Sequence, residues 1–438
     1  MVRISVSQML NALVDVGRNY LDRPGGGSQL DVLVAQCNDL VSVHGEASGT
    51  ALASQILNGY FELDEDEQVN FLLSLNEIFA PDQEVLVEVI RAYMAYPEGD
   101  SYRKLLKVVE APWQELFRRI NMAPCGTSTV VGMRQLVRSR LSSHPELKSL
   151  ERDLRYLLSS WFNRGFLQFE QISWRTSAII LEKLIAYEAV HEIHGWDDLR
   201  RRLANDRRCF GFFHPALPDE PLIFVEVALT QGIIGQIETL ILKESETGIK
   251  EKPDTAIFYS ISNCQAGLEG ISFGNFLIKQ VVDTIKGELH DIKEFATLSP
   301  IPGFCKWLDD LLKQRQSDFL SEKEFDSLQE KWRDNELARE RLKPLLMRLC
   351  ARYLVETKNK GPVFDPVAKF HLGNGAGVEQ INWAADLSRK GIEQSLGMMG
   401  NYVYDSEKII SNHETYVRDG FVSASKEVLR LAKGKDGR

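Results

Sequence analysis

The sequence predicts an α+β protein in two parts, an all-helical bundle domain over residues 1–165 and a mixed α/β domain over 166–438. Three observations carry this. Before residue 165, apolar side chains recur at helical spacing between short Pro, Gly and Ser turns. From Phe166 the texture changes, and β-rich runs appear at 209–213, 222–230 and 255–262. The third of these runs passes through a glycine-bearing loop into an amphipathic helix and then a further strand, all between residues 255 and 298. The period of the apolar pattern is what separates helix from strand in each case.

Within the first part, Asp64-Glu-Asp-Glu67 opens a helix whose positions Val69, Leu72, Leu73, Leu75, Ile78 and Phe79 form one broad apolar face, and Pro81 stops it. Acidic residues in a first turn complement the helix dipole. Similar patterns cover 84–95, 103–120, 130–142 and 147–162. Pro24-Gly-Gly-Gly-Ser28 lacks the Lys-Ser/Thr that completes a phosphate-binding P-loop, so it is read as a plain loop. No catalytic constellation falls in this half, which is expected to serve packing and assembly.

In the second part, strands at Cys209–Phe213 and Leu222–Thr230 flank the turn-rich PALPDEP. The strand Thr255–Ser262 precedes the loop Glu269-Gly270-Ile271-Ser272-Phe273-Gly274-Asn275, which runs into the helical pattern Phe276, Leu277, Ile278, Val281, Val282 and Ile285. Backbone N–H groups at a helix start lack internal partners, and the dipole there favours anions. Glycines 270 and 274 would let such a backbone approach a phosphate closely. Gly270 to Gly274 also match the G-x-S-x-G elbow that exposes a hydrolase nucleophile, here Ser272. An elbow serine sits directly off its strand, whereas Asn263 to Gly270 intervene here, which disfavours the match. The short strand Glu294–Leu298 delivers Ser299 onto a Pro-Ile-Pro-Gly turn, and residues 320–357 return to charged helix. Val367–His371 and Asn401–Tyr404 are the last strand candidates.

The residue pattern alone leaves several side chains open. Ser299 is either a reactive group at a strand end or the N-cap of the helix GFCKWLDDLL. His371, among apolar neighbours, suits a structural role as well as a catalytic one, and Asn382 and Tyr404 suit either the core or an orienting contact. Arg200-Arg-Arg202 and Arg207-Arg208 could attract a phosphate, although a solvated helix face is the reading taken. His191-Glu-Ile-His194 lacks the H-E-x-x-H spacing and a third ligand, so no metal is expected. A formal charge of −10 argues against general nucleic-acid binding, and no apolar run is long enough to span a bilayer. The start lacks a secretory pattern, Asp15 and Asp22 speak against a transit peptide, and AKGKDGR is no peroxisomal address. Six scattered cysteines without a C-x-x-C pair point to reduced thiols and a cytoplasmic protein.

The loop at 269–275 resembles the pyrophosphate loop of the GCN5-related acetyltransferases, with Ser272 where those loops often carry another glycine. Five blocks resemble the malonyl-CoA decarboxylase family in order along the chain: SSWFNRGFLQFEQISWRTSA (159–178), EPLIFVEVALT (220–230), FYSISNCQAGLEGISFGNFLIK (258–279), FATLSPIPGFCKWL (295–308) and PVAKFHLGNGAGVEQINWAADLS (366–388). This resemblance implies an acetyltransferase-like catalytic domain that converts malonyl-CoA to acetyl-CoA and CO₂. It implies CoA binding by Glu269, Gly270, Ile271, Ser272, Phe273, Gly274 and Asn275. It also makes Ser299 the proton acceptor and His371, in the family's F-H-L-x-N-G-A pattern, the proton donor, with Tyr404 and Asn382 in support. No metal, biotin or thiamine is expected, because the thioester is its own electron sink, and the family assembles as dimers or tetramers. The alternatives are an N-acetyltransferase on the same fold, a non-catalytic acyl-CoA sensor, and a thioester hydrolase using Ser272.

Overall fold

The computed structural model describes residues 28–42, 45–241, 252–271, 277–314, 320–329, 332–333, 335–356 and 365–434. Backbone contacts divide the chain into two compact units. The first comprises Met1–Gln168, Phe212–Leu222 and Asn263–Phe273, and the second comprises Phe169–Gly211, Ile223–Ser262 and Gly274–Arg438.

The first unit is helical, with helices at Gln29–Val41, Glu46–Glu62, Glu65–Ile78, Gln83–Ala95, Gly99–Val109, Pro112–Ile120, Gly126–Arg140 and Lys148–Trp161. The acidic start at Asp64 forms a capping box, each of Asp64 and Glu67 accepting the other's backbone N–H. The stretch expected as one helix over 103–120 is two, because Pro112 starts a new helix where its missing N–H does no harm. Ile56, Phe71, Leu75, Leu116, Phe117, Val130, Met133, Leu154 and Leu158 are buried in this unit. The hairpin of Gln83–Ala95 and Gly99–Val109 differs, since neither helix has a buried residue and Val87, Met94, Leu106 and Val109 are exposed.

The second unit is built on a mixed sheet of β1 (Gln168–Ile172), β2 (Arg207–Phe213), β3 (Ile223–Thr230), β4 (Thr255–Asn263), β5 (Glu294–Thr297), β6 (Ser299–Pro300), β7 (Gly377–Asn382) and β8 (Met399–Val403). The strand order is β1-β2-β3-β4-β5-β8-β6, with β7 also on β8. Strands β3 and β4 are buried almost along their whole length, as strands covered on both faces are. β4 and β5 pair in parallel from Thr255↔Glu294 to Phe258↔Thr297, and the Leu298 N–H still donates to the Phe258 carbonyl. One residue later Ser299 pairs with Gly400 of β8. Ser299 therefore stands where the chain has just left β4.

One expectation changes here. Residues 366–373 form a helix rather than a strand, since Asp365 caps its first amides and Pro366 occupies the first helical position. The charged segment 320–357 is helical as expected, with helices Glu322–Gln329 and Glu336–Val355 among its described residues.

The basic cluster also departs from expectation. Arg202 and Glu226 form an ion pair at 2.7 Å with both side chains 1% exposed, and Arg207 is buried and donates to the Leu240 carbonyl. Only Arg200 of the first triplet is well exposed, so the group does not form a solvated helix face. Burial pushes the Glu226 carboxyl up to about 7, against the pull of Arg202. Arg202→Met would leave Glu226 unpaired in the interior, and a loss of about 3–5 kcal/mol is expected from the shift in a urea unfolding midpoint. A loss below about 1 kcal/mol would mean that the pair adds nothing to stability.

Candidate active site

The chain's departure from β4 at Leu298 places Ser299 against the last turn of the Pro366–Gly373 helix. The Ser299 Oγ lies 2.9 Å from the His371 Nε2, and the His371 Nδ1 lies 2.8 Å from the Tyr404 hydroxyl. The Ser299 hydroxyl donates to the Thr297 Oγ1 at 2.9 Å, and that oxygen also accepts the Tyr402 N–H. A single direction satisfies the row: Tyr404 O–H to Nδ1, Nε2–H to Ser299, and Ser299 O–H to Thr297. The Tyr402 ring stacks on the imidazole at 4.7 Å. His371 is 2% exposed, and burial pushes its pKa down to about 3, so the ring is neutral at rest.

Asp365 links the turn after Ser299 to the helix that carries His371. One carboxylate oxygen accepts the Gly303 N–H at 2.9 Å, from the turn after Ser299, and the other accepts the Val367 and Ala368 N–H groups at 3.0 Å. Burial raises its pKa, and these amides pull it back. The helix after the turn starts at Phe304, so Ser299 is not its N-cap.

Asn382 joins a neighbouring network rather than His371. Its amide donates to the Asn401 Oδ1 at 2.6 Å, and Asn401 in turn donates to the carbonyls of Thr297 and Ile234. Thus Ser299, His371 and Tyr404 come together, while Asn382 braces the strand end that carries Ser299. Asp365, Asn401 and Thr297 escaped the sequence reading; only Asp365-Pro366, a cap followed by proline, left a local signal. Cys305 is buried and its thiol is pushed up to about 11, which keeps it protonated.

Of the expected CoA residues, Glu269, Gly270 and Ile271 belong to the first unit, and Ser272, Phe273, Gly274 and Asn275 lie outside the described residues. Gly270 has φ +76°, a conformation that favours glycine. The amides of Leu268, Glu269 and Ile271 are already bonded to the carbonyls of Gln265, Ala266 and Leu268. His191 is buried, and among the described residues no three or more His, Cys, Asp or Glu gather as a metal site. No helix among them is long and apolar enough to cross a membrane.

A family model described as the malonyl-CoA decarboxylase C-terminal domain matches residues 165–437, and one described as the N-terminal domain matches 79–162. The chain is 40% identical to a malonyl-CoA decarboxylase, mitochondrial, of Anser anser anser, over 65% of this chain and 61% of that protein. It is 32% identical to the Rattus norvegicus protein of that name, over 90% of this chain and 85% of the other. Among solved structures, malonyl-CoA decarboxylase from Rhodopseudomonas palustris aligns with TM-score 0.87 at 47% identity, over 91% of this chain and 98% of that one. The Agrobacterium vitis structure of the same title aligns with TM-score 0.83 at 43% identity, over 91% and 99%.

Proposed function

This chain belongs to the malonyl-CoA decarboxylase family of carboxy-lyases, and from that premise we propose that it converts malonyl-CoA to acetyl-CoA and CO₂ with Ser299 and His371 as the reacting pair. The observation that carries the residue assignment is the buried row Tyr404–His371–Ser299–Thr297.

Loss of CO₂ leaves an electron pair that the thioester takes up as an enolate, so the reaction needs a hydrogen-bond donor at the enolate oxygen and a proton for the carbon. The Ser299 Oγ accepts the Nε2 proton at rest. Its own proton, held on Thr297, is free to turn toward the enolate oxygen. His371 then supplies the proton to the nascent acetyl group. Neutral in the resting protein, the ring takes up a proton from water at Nδ1 once the malonyl carboxylate sits beside it, because an opposite charge favours the charged form, and giving the Nε2 proton to carbon returns it to neutral. Tyr404 fixes the tautomer through Nδ1. The thioester serves as electron sink, and no metal, biotin or thiamine enters the scheme.

Malonyl-CoA supplied to the purified protein should yield CO₂ and acetyl-CoA in equal amounts. Free CoA without CO₂ would point instead to thioester hydrolysis at Ser272, and transfer of an acetyl group to an added amine would point to an N-acetyltransferase.

The loop at 269–275 is assigned to the CoA pyrophosphate. Gly270→Val places a branched side chain at φ +76°, and a weakening of CoA binding by about tenfold or more is expected in an equilibrium titration. An unchanged dissociation constant would remove the loop from the CoA site. Residues 1–165 are assigned to assembly into a dimer or tetramer, for which the exposed apolar face of the 83–109 hairpin is a suitable surface. Six free cysteines suit a reducing compartment such as the cytoplasm.

A further inference from the structure

The helical unit does more than offer an assembly surface, because three of its arginines hold the loop assigned to CoA. Arg134, on the Gly126–Arg140 helix, has a side chain with no exposure and an ion pair to Glu151 at 2.8 Å. Its guanidinium also donates to the carbonyl oxygens of Gly267 at 2.6 Å and Glu269 at 3.0 Å. Arg138, one turn on, pairs with the Glu269 carboxylate at 2.7 Å. Arg155, on the Lys148–Trp161 helix, is exposed and donates to the Gly270 carbonyl at 2.9 Å. The approach is close, since a Cβ on Gly267 would collide with the Val131 carbonyl. A buried arginine whose fork is divided between a carboxylate and two loop carbonyls fixes the direction of those peptide planes.

We propose that Arg134 is a positioning residue for the acyl-CoA substrate: it orients residues 267–270 so that the loop receives the CoA phosphates, and so gives the N-terminal helices control of substrate affinity. This rests on the loop's assignment to CoA. Arg134 touches no reacting atom, so its loss should appear in KM and not in the chemical step.

The test compares malonyl-CoA with malonyl-pantetheine, which lacks the pyrophosphate and the nucleotide. Arg134→Lys keeps the charge but loses the fork, and the KM for malonyl-CoA should rise about tenfold or more while kcat stays within about threefold. Its kcat/KM for malonyl-pantetheine should match the wild type. Arg155→Ala, an exposed substitution that does not disturb the interior, should shift KM the same way by about threefold. Equal losses with both substrates, or an unchanged KM for malonyl-CoA in both variants, would overturn the proposal. If Gly270→Val weakens CoA binding while the arginine variants do not, only the role of Arg134 fails. If Gly270→Val also leaves binding unchanged, the loop's assignment to CoA fails with it.

Discussion

Replacing His371 with Asn should lower kcat for malonyl-CoA about a thousandfold while KM changes less than about threefold. Asn fits the space and keeps a hydrogen-bonding end, but it carries no transferable proton. The row from Tyr404 through the imidazole to Ser299 is then broken at its centre. CoA is assigned to a different segment, so binding should survive. The same variant has a stability signature. Burial holds the folded pKa of His371 near 3, below the ordinary 6.5. As pH falls from 6.5 toward 3, the unfolded chain takes up this proton before the folded one does, so His371 costs stability in that window and none above it. His371→Asn should therefore lose less stability than the wild type between pH 6.5 and 3, as read from denaturant midpoints. A variant with near-normal turnover would remove His371 from the mechanism.

Ser299→Ala should cost about a hundred- to a thousandfold in kcat, the range for deleting one preorganised donor to a developing oxyanion. The methyl group fits, and the Thr297 Oγ1 keeps the Tyr402 N–H as a partner. The buried His371 Nε2–H loses its acceptor, at a cost of about 1–3 kcal/mol, so kcat is compared on variant protein with a native circular dichroism spectrum. A fall of less than about threefold would show that the hydroxyl has no part in the chemistry.

Much of this arrangement was legible because its signals are local. The run TAIFYSIS gives a buried strand, and the order strand, loop, helix, strand leads to Ser299. His371 was legible only through the block around it, since the β-like run Val367–His371 is overruled by the cap at Asp365. Strand β7 was missed because a bulge between Val378 and Gln380 breaks its alternation. β1 was missed because most of it is exposed and shows no buried face. Asp365 and Asn401 act through partners 62 and 104 residues away, at Gly303 and Thr297, a relation that no local pattern carries. Buried arginines are equally illegible. Arg134 and Arg202 look like any helix-surface cation until the carbonyls or carboxylate they meet are in place.

The central claim is that Ser299 and His371 act as one unit in decarboxylation. The most direct test measures CO₂ release from malonyl-CoA by the wild type, Ser299→Ala, His371→Asn and the double variant under saturating substrate. If the pair acts together, the double variant should be no slower than the slower single variant within about threefold. Losses that multiply in the double variant would mean that the two residues act independently, and a double variant that retains wild-type CO₂ release would place the chemistry elsewhere.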